Sequence, residues 1–218
     1  MIRYPRMEDA SSSWCRPWCA LVMIFLGIGA SAQPEPASSK QSLADFLLEY
    51  MEVRYPGLDV DGDVLYVSVR SQRLHHVRGR VLLRSYVIST ALNGLGERLN
   101  SFRTPTGLHY IRERIGEGLP PWSILRERRP TGTVFDSTGT PDSDVITSRI
   151  LRLSGMEAGV NEGGSVDSFS RAIYLHGTAD EASLGTPSSH GCIRMYNRDV
   201  IALFEEVPIG TLVVIYDN

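Results

Sequence analysis

Ile173-Tyr174-Leu175-His176-Gly177-Thr178 is followed, nine residues later, by Ser188-Ser189-His190-Gly191-Cys192-Ile193-Arg194-Met195. The first block is rich in β-branched and aromatic residues and ends on His-Gly, so it predicts a strand that stops at a turn. The second block puts a cysteine directly after a glycine and two positions after a histidine. Cysteine is nucleophilic as the thiolate and needs an imidazole close by to take its proton. Both His176 and His190 qualify by residue type. In an extended segment residues i and i+2 face the same way, which places His190 beside Cys192. A base whose ring nitrogen reaches the sulfur normally comes from another element, and His176, at the end of its strand, meets that condition. Gly191 admits backbone dihedrals closed to other residues and lets a substrate approach. Amides around Gly191 and Cys192 are then candidates to receive an oxyanion, at about 3 kcal/mol per donor. As a zinc set, His176, His190 and Cys192 lack an Asp, a Glu or a fourth His at ligand spacing. His75, His76 and His109 have no comparable context and are assigned no role.

Outward from these blocks the chain alternates strand-length runs with turn residues. Val64 to Val69, Val81 to Ser89, His109 to Arg114, Val145 to Leu153, Ala172 to His176 and Thr211 to Tyr216 predict strands. Asn93-Gly94, Thr104 to Gly107, Gly116 to Pro121 and the long segment from Pro130 to Asp144 predict loops. Loops of that length often act as lids. Asn197 is positioned to cap a helix with Val200, Ile201, Phe204 and Val207 on one face. Ser42 is positioned to cap another, carrying Leu43, Phe46, Leu47, Tyr50 and Met51 at helical spacing.

The first residues differ in kind. Arg3, Arg6 and Arg16 precede an apolar run from Cys19 to Ala30, and Ala30-Ser31-Ala32 stands before Gln33. That order predicts a secretory signal over residues 1–32, cleaved after Ala32. The run is shorter than the roughly 20 apolar residues that span a bilayer. Cleavage leaves Cys192 as the sole thiol, which excludes a disulfide within one chain and places the protein in the periplasm or cell envelope. Residues 33–62 then form a linker and accessory helix. The whole is 218 residues, 42% hydrophobic and 22% charged, which suits one domain with short appendages. A net charge of −3 gives no field to gather nucleic acid phosphates.

Together, His-Gly-Thr at 176–178 and Ser-His-Gly-Cys-Ile-Arg-Met at 189–195 resemble the active-site signature of the L,D-transpeptidase (YkuD-like) catalytic-domain family. The resemblance extends upstream through Phe102-Arg103-Thr104-Pro105-Thr106-Gly107, Thr147 to Leu151 and Gly159 to Gly164, and downstream through Val207 to Thr211, covering roughly residues 63–217. It implies a mostly β, single β-sandwich-like catalytic domain with a few peripheral helices and a lid between about residues 110 and 145. By this likeness Cys192 matches the acylating nucleophile and His176 the general base. Ser189, His190 and Gly191 match the block that shapes the oxyanion site. Some members have serine after the base histidine; here Gly177 leaves only a backbone carbonyl to orient the imidazole. Arg194 stands where some members carry asparagine, and its guanidinium suits a stem-peptide carboxylate. The interval from His176 to Ser189 is shorter than the broad family pattern, which implies a trimmed loop. The expected activity is an exported, cofactor-free and metal-free transpeptidase that acts, as a monomer, on tetrapeptide stems of peptidoglycan through a Cys192 thioester. A second stem, water or a protein lysine remains open as acyl acceptor. An inactive wall-binding module is disfavoured, because binding alone needs no thiol.

Overall fold

The computed structural model describes residues 37–136 and 145–218, so the expected signal segment lies outside the described residues. Side chains alternate along a strand, yet Val64, Leu65, Tyr66 and Val67 are all buried in β1 (Asp63–Ser68). A continuous apolar run of this kind is expected where a strand is covered on both faces. Leu65 and Val67 face a central core, while Val64 and Tyr66 pack under a helix.

β1 pairs in parallel with β10 (Leu212–Tyr216) and antiparallel with β2 (Arg73–Arg78). The order then continues through β3 (Val81–Ser89), β9 (Ile193–Met195), β8 (Tyr174–Thr178), β7 (Ile146–Gly155) and β4 (Gly107–Ile115). β4 also pairs with β10, so these strands return on themselves and leave no open edge among them. Their inward side chains, among them Leu65, Leu74, Ile88, Ile111, Leu151, Leu175, Ile193 and Val213, make one core. Helix α2 (Asn197–Glu206) adds Val200, Leu203 and Phe204 to it, each contributing about 1.5–3 kcal/mol by burial. On the outer face, α1 (Ala37–Arg54) sets Ala44, Leu47, Leu48 and Met51 against Val64, Tyr66, Val77, Leu82, Leu108 and Val214.

The expected mostly β architecture with two helices is what the chain adopts. Several details differ. α1 already runs from Ala37, so Ser42 lies inside it and does not start it. Asn197 is the first helical residue of α2, not its cap; its side chain is turned to Thr178 and Glu181. Leu203, and not the half-buried Ile201, completes the core face of α2. β2 carries two histidines and gave no strand signal, because the carboxylates and hydroxyl that face them are brought there only by the fold. His76 is fully buried, with Nε2 2.6 Å from Asp63 Oδ1 and Nδ1 3.4 Å from Glu206 Oε2.

The expected lid divides in two. Its first residues belong to β4, which closes the sheet. Beyond it, β5 (Ser123–Arg126) and β6 (Arg129–Val134) form a hairpin joined to the start of β7 through Ile124–Thr147 and Leu125–Ile146 pairs. β6 is exposed along its whole length, and as an edge strand it tolerates Pro130, which cannot donate to a ladder. Residues 137–144 of the expected loop lie outside the described residues. Among the described residues no helix is long and apolar enough to cross a membrane.

Candidate active site

β8 and β9 run in parallel, with Leu175 opposite Ile193 and His176 opposite Arg194. This register brings His176 near the end of one strand beside Cys192, the residue that precedes the next. His176, Ser189, His190, Cys192 and Arg194 all line one cavity of about 480 Å³, completed by Asn93, Phe102 and Ile146. The sequence-selected residues are thus brought together, apart from the backbone-shaping Gly177 and Gly191. Among the described residues no three His, Cys, Asp or Glu side chains converge as metal ligands.

The turn before Cys192 is held from several sides. Gly191 has φ +129, which strains any residue with a side chain, and a Cβ there would also crowd the Arg103 carbonyl oxygen at 3.3 Å. The buried Ser189 hydroxyl donates to the Cys192 carbonyl at 2.6 Å and accepts the Gly191 amide at 3.2 Å. The Gly191 amide, named above as an oxyanion donor, is therefore engaged within the turn and shapes the loop. Thr104 Oγ1 donates to the Gly191 carbonyl at 3.0 Å and accepts the Ala91 amide at 2.9 Å, which gives the Thr104-Pro105-Thr106-Gly107 motif a physical task.

Cys192 is half-buried. Its thiol donates to the Ala172 carbonyl at 3.3 Å, and it packs beside the apolar cluster of Leu125, Ile150 and Tyr174, to which the β5–β6 hairpin contributes Leu125. Apolar surroundings disfavour a thiolate, so its formation depends on nearby charge and on a base.

His176 is 4% exposed, and its Nδ1 lies 2.8 Å from the carbonyl oxygen of Gly177. A carbonyl cannot donate, so Nδ1 carries the proton and Nε2 is left as the acceptor. His190 is exposed and its ring meets Phe102 edge-on at 5.7 Å between centroids. Phe102 sits at φ +54, a conformation rare for a bulky residue, and forms an exposed aromatic wall of the cavity. Arg194 is 2% exposed, a buried charge in the cavity wall.

Arg171 carried no sequence signal, being one arginine among many. Its Nη2 donates to the Arg103 carbonyl at 2.6 Å, and Nη1 is buried without a hydrogen-bond partner among the described residues. Burial pushes its guanidinium below the ordinary arginine range, while the charges of Glu97 and Cys192 push it back up. It is therefore a cation whose field reaches Cys192.

The L,D-transpeptidase catalytic-domain model, YkuD, matches residues 62–215, well over half of the chain. The chain belongs to this family. An L,D-transpeptidase relative from Escherichia coli (strain K12), named "Probable L,D-transpeptidase YbiS", is 45% identical over 108 residues, 48% of this chain and 35% of that one. The Salmonella typhimurium protein named "Probable L,D-transpeptidase ErfK/SrfK" is 45% identical over 48 residues, 22% of this chain and 16% of its own. The chain thus spans well under two thirds of the length of the curated relatives it matches. Among solved structures, L,D-transpeptidase 3 from Mycobacterium tuberculosis aligns at a TM-score of 0.45 and 17% identity, covering 72% of this chain and 61% of that one. An L,D-transpeptidase from Mycobacterium smegmatis aligns at 0.42 and 16% identity, covering 71% and 58%.

Proposed function

We propose that the protein is an exported peptidoglycan L,D-transpeptidase in which Cys192 is the nucleophile and His176 the general base. The observation that carries this is the 2.8 Å bond from His176 Nδ1 to the Gly177 carbonyl in the wall of the cavity shared with Cys192, because it leaves Nε2 as the proton acceptor. Membership of the L,D-transpeptidase family supports the substrate class.

The thiol of Cys192 gives its proton to His176 Nε2 as the sulfur attacks the carbonyl carbon of the third stem residue. The tetrahedral intermediate collapses, the terminal D-alanine leaves as an amine that takes the proton back, and a thioester remains. An amine from a second stem then attacks the thioester carbonyl and loses a proton to Nε2, which returns it to the departing sulfur. Water or a protein lysine in the acceptor position would give a shortened stem or a wall-linked protein by the same steps. Arg194 in the cavity wall is suited to a carboxylate of the stem. Residues 1–32 direct export to the periplasm or cell envelope and are removed before Gln33.

Acylation by a carbapenem, followed by intact mass measurement, tests the nucleophile: one adduct is expected on wild type and none on Cys192→Ala. Incubation with purified tetrapeptide muropeptides then separates transfer from hydrolysis. A mature envelope protein beginning at Gln33 is expected by N-terminal mass analysis, and a retained full-length start would refute cleavage there.

A further inference from the structure

Asn197 is buried to 2% exposure, and both polar atoms of its side chain are engaged. Oδ1 accepts hydroxyl hydrogen bonds from Thr147 and Ser148, each at 2.6 Å. Nδ2 donates to the Thr178 carbonyl at 2.8 Å and to Glu181 Oε1 at 2.9 Å. The same Glu181 oxygen accepts the backbone amide of Asn197 at 2.7 Å. One amide thus joins the start of α2 to β7, β8 and the loop after β8, with each donor facing an acceptor. Fully satisfied buried networks of this kind rigidify what they touch.

The network touches the peptide that orients the base. A Cβ on Gly177 would fall 2.6 Å from Asn197 Oδ1 and 2.6 Å from the Thr147 carbonyl oxygen, so the missing side chain of Gly177 is the space that Asn197 fills. The carbonyl of this same glycine accepts the His176 Nδ1 proton. On its other side the network reaches the hairpin. Ser148, at φ +63 in the irregular stretch of β7, also accepts the Trp122 amide at 2.9 Å. Trp122, at φ +66, is the residue that leads into β5, and its ring stacks with Phe135 beyond β6 at 6.1 Å between centroids. That hairpin supplies Leu125 to the apolar cluster beside Cys192.

We propose that Asn197 is a positioning residue: its side-chain amide packs against Gly177 and bonds the following carbonyl, that of Thr178, which fixes the backbone that orients His176, and through Ser148 it ties that backbone to the root of the β5–β6 hairpin. This rests on the Cys192–His176 assignment above. The tie makes the hairpin and the base one unit, so a hairpin displaced at Trp122 pulls on Ser148 and thereby on the peptide that sets the His176 tautomer and angle. A small misplacement of a catalytic group is enough to cost an order of magnitude or more in rate.

The test uses the full chain carrying Trp14→Phe, Trp18→Phe, Cys15→Ser and Cys19→Ser, which leaves Trp122 as its only tryptophan and Cys192 as its only cysteine. Cys192 alkylation by iodoacetamide is followed against pH, a readout of the thiol–imidazole pair that needs no cell-wall substrate. Trp122 emission and acrylamide quenching report the hairpin root. Asn197→Ala should lower the alkylation rate at pH 7 by about ten-fold and shift its pH profile, and Ser148→Ala should do so by about three-fold while raising the quenching of Trp122. Asn197→Asp keeps the shape but turns an acceptor toward the Thr178 carbonyl and Glu181, and should resemble Asn197→Ala. If Asn197→Ala melts too low to study, Ser148→Ala decides. Alkylation profiles that superimpose on the parent, with only the melting temperature lowered, would overturn the proposal. His176→Ala separates the two levels. An altered profile in His176→Ala with unchanged profiles in Asn197→Ala and Ser148→Ala refutes the tie alone. An unchanged profile in His176→Ala refutes the base itself, and the tie with it.

Discussion

The ring Nδ1 of His176 donates to the carbonyl of its own neighbour, Gly177, at 2.8 Å, and the exposed ring of His190 meets the edge of Phe102 at 5.7 Å between centroids. A fixed tautomer suits His176 to the role of base proposed for it. His176→Ala should slow formation of the Cys192 thioester by about two orders of magnitude or more, as loss of a general base does. His190→Ala should cost less, through the shape of the cavity. Burst kinetics with a carbapenem measure both, and normal acylation in His176→Ala with none in His190→Ala would reverse the two roles.

Arg171 bears on the thiol differently. Its guanidinium is held by the Arg103 carbonyl, and Cys192 is one of the charges that act on it. Interaction is mutual, so the cation favours the thiolate. Arg171→Gln should move the pH midpoint of Cys192 alkylation upward, Arg171→Lys should move it less, and added salt should narrow the difference. Identical midpoints at low salt in wild type and Arg171→Gln would remove Arg171 from the site.

Much of this site was legible because its chemistry is compressed into one stretch, with Ser189, His190, Gly191 and Cys192 contiguous and His176 one strand away. The strands covered on both faces were legible for a similar reason, since Val64 to Val67 form an unbroken apolar run. What escaped depends on distant partners. β2 looks polar until Asp63 and Glu206 reach His76, and Arg171 gains meaning only when the Arg103 carbonyl and Cys192 come beside it. Asn197 presented itself as a helix cap, which is its usual task before an apolar face. In the fold its amide instead meets Thr147 and Ser148, some fifty residues earlier in the chain.

His109, which carried no context in the sequence, should make stability depend on pH in acid. Its Nδ1 donates to the Gly107 carbonyl at 3.0 Å and its Nε2 accepts from Ser168 Oγ at 2.9 Å, an arrangement made for the neutral ring. Burial pushes its pKa down from 6.5 to about 4. Between these values the unfolded chain binds the proton and the folded one does not, so stability falls as pH drops through that window, by roughly 3 kcal/mol at full extent. His109→Gln should be less stable than wild type at pH 7 but lose less between pH 6.5 and 4. Urea midpoints across that range measure it, and parallel curves for the two proteins would show that His109 does not titrate in this way.

Arg194 was expected to serve the substrate and not the fold, and its 2% exposure changes what its removal should do. A long side chain buried between β8 and β3, opposite both His176 and Ser89, packs as well as carries charge. Arg194→Ala should therefore lower the melting temperature by several degrees, since a side chain of that size leaves a void. It also lines the cavity beside Cys192, where a guanidinium can hold a carboxylate by two parallel bonds and an ammonium cannot. Turnover of a tetrapeptide muropeptide, corrected to the folded fraction, should fall by roughly ten-fold to a hundred-fold in Arg194→Ala, the size of one lost charge-assisted contact. Arg194→Lys separates the two tasks: it restores part of the volume and all of the charge, so melting should recover further than turnover. Turnover per folded molecule equal to wild type in Arg194→Ala would leave Arg194 a structural residue only.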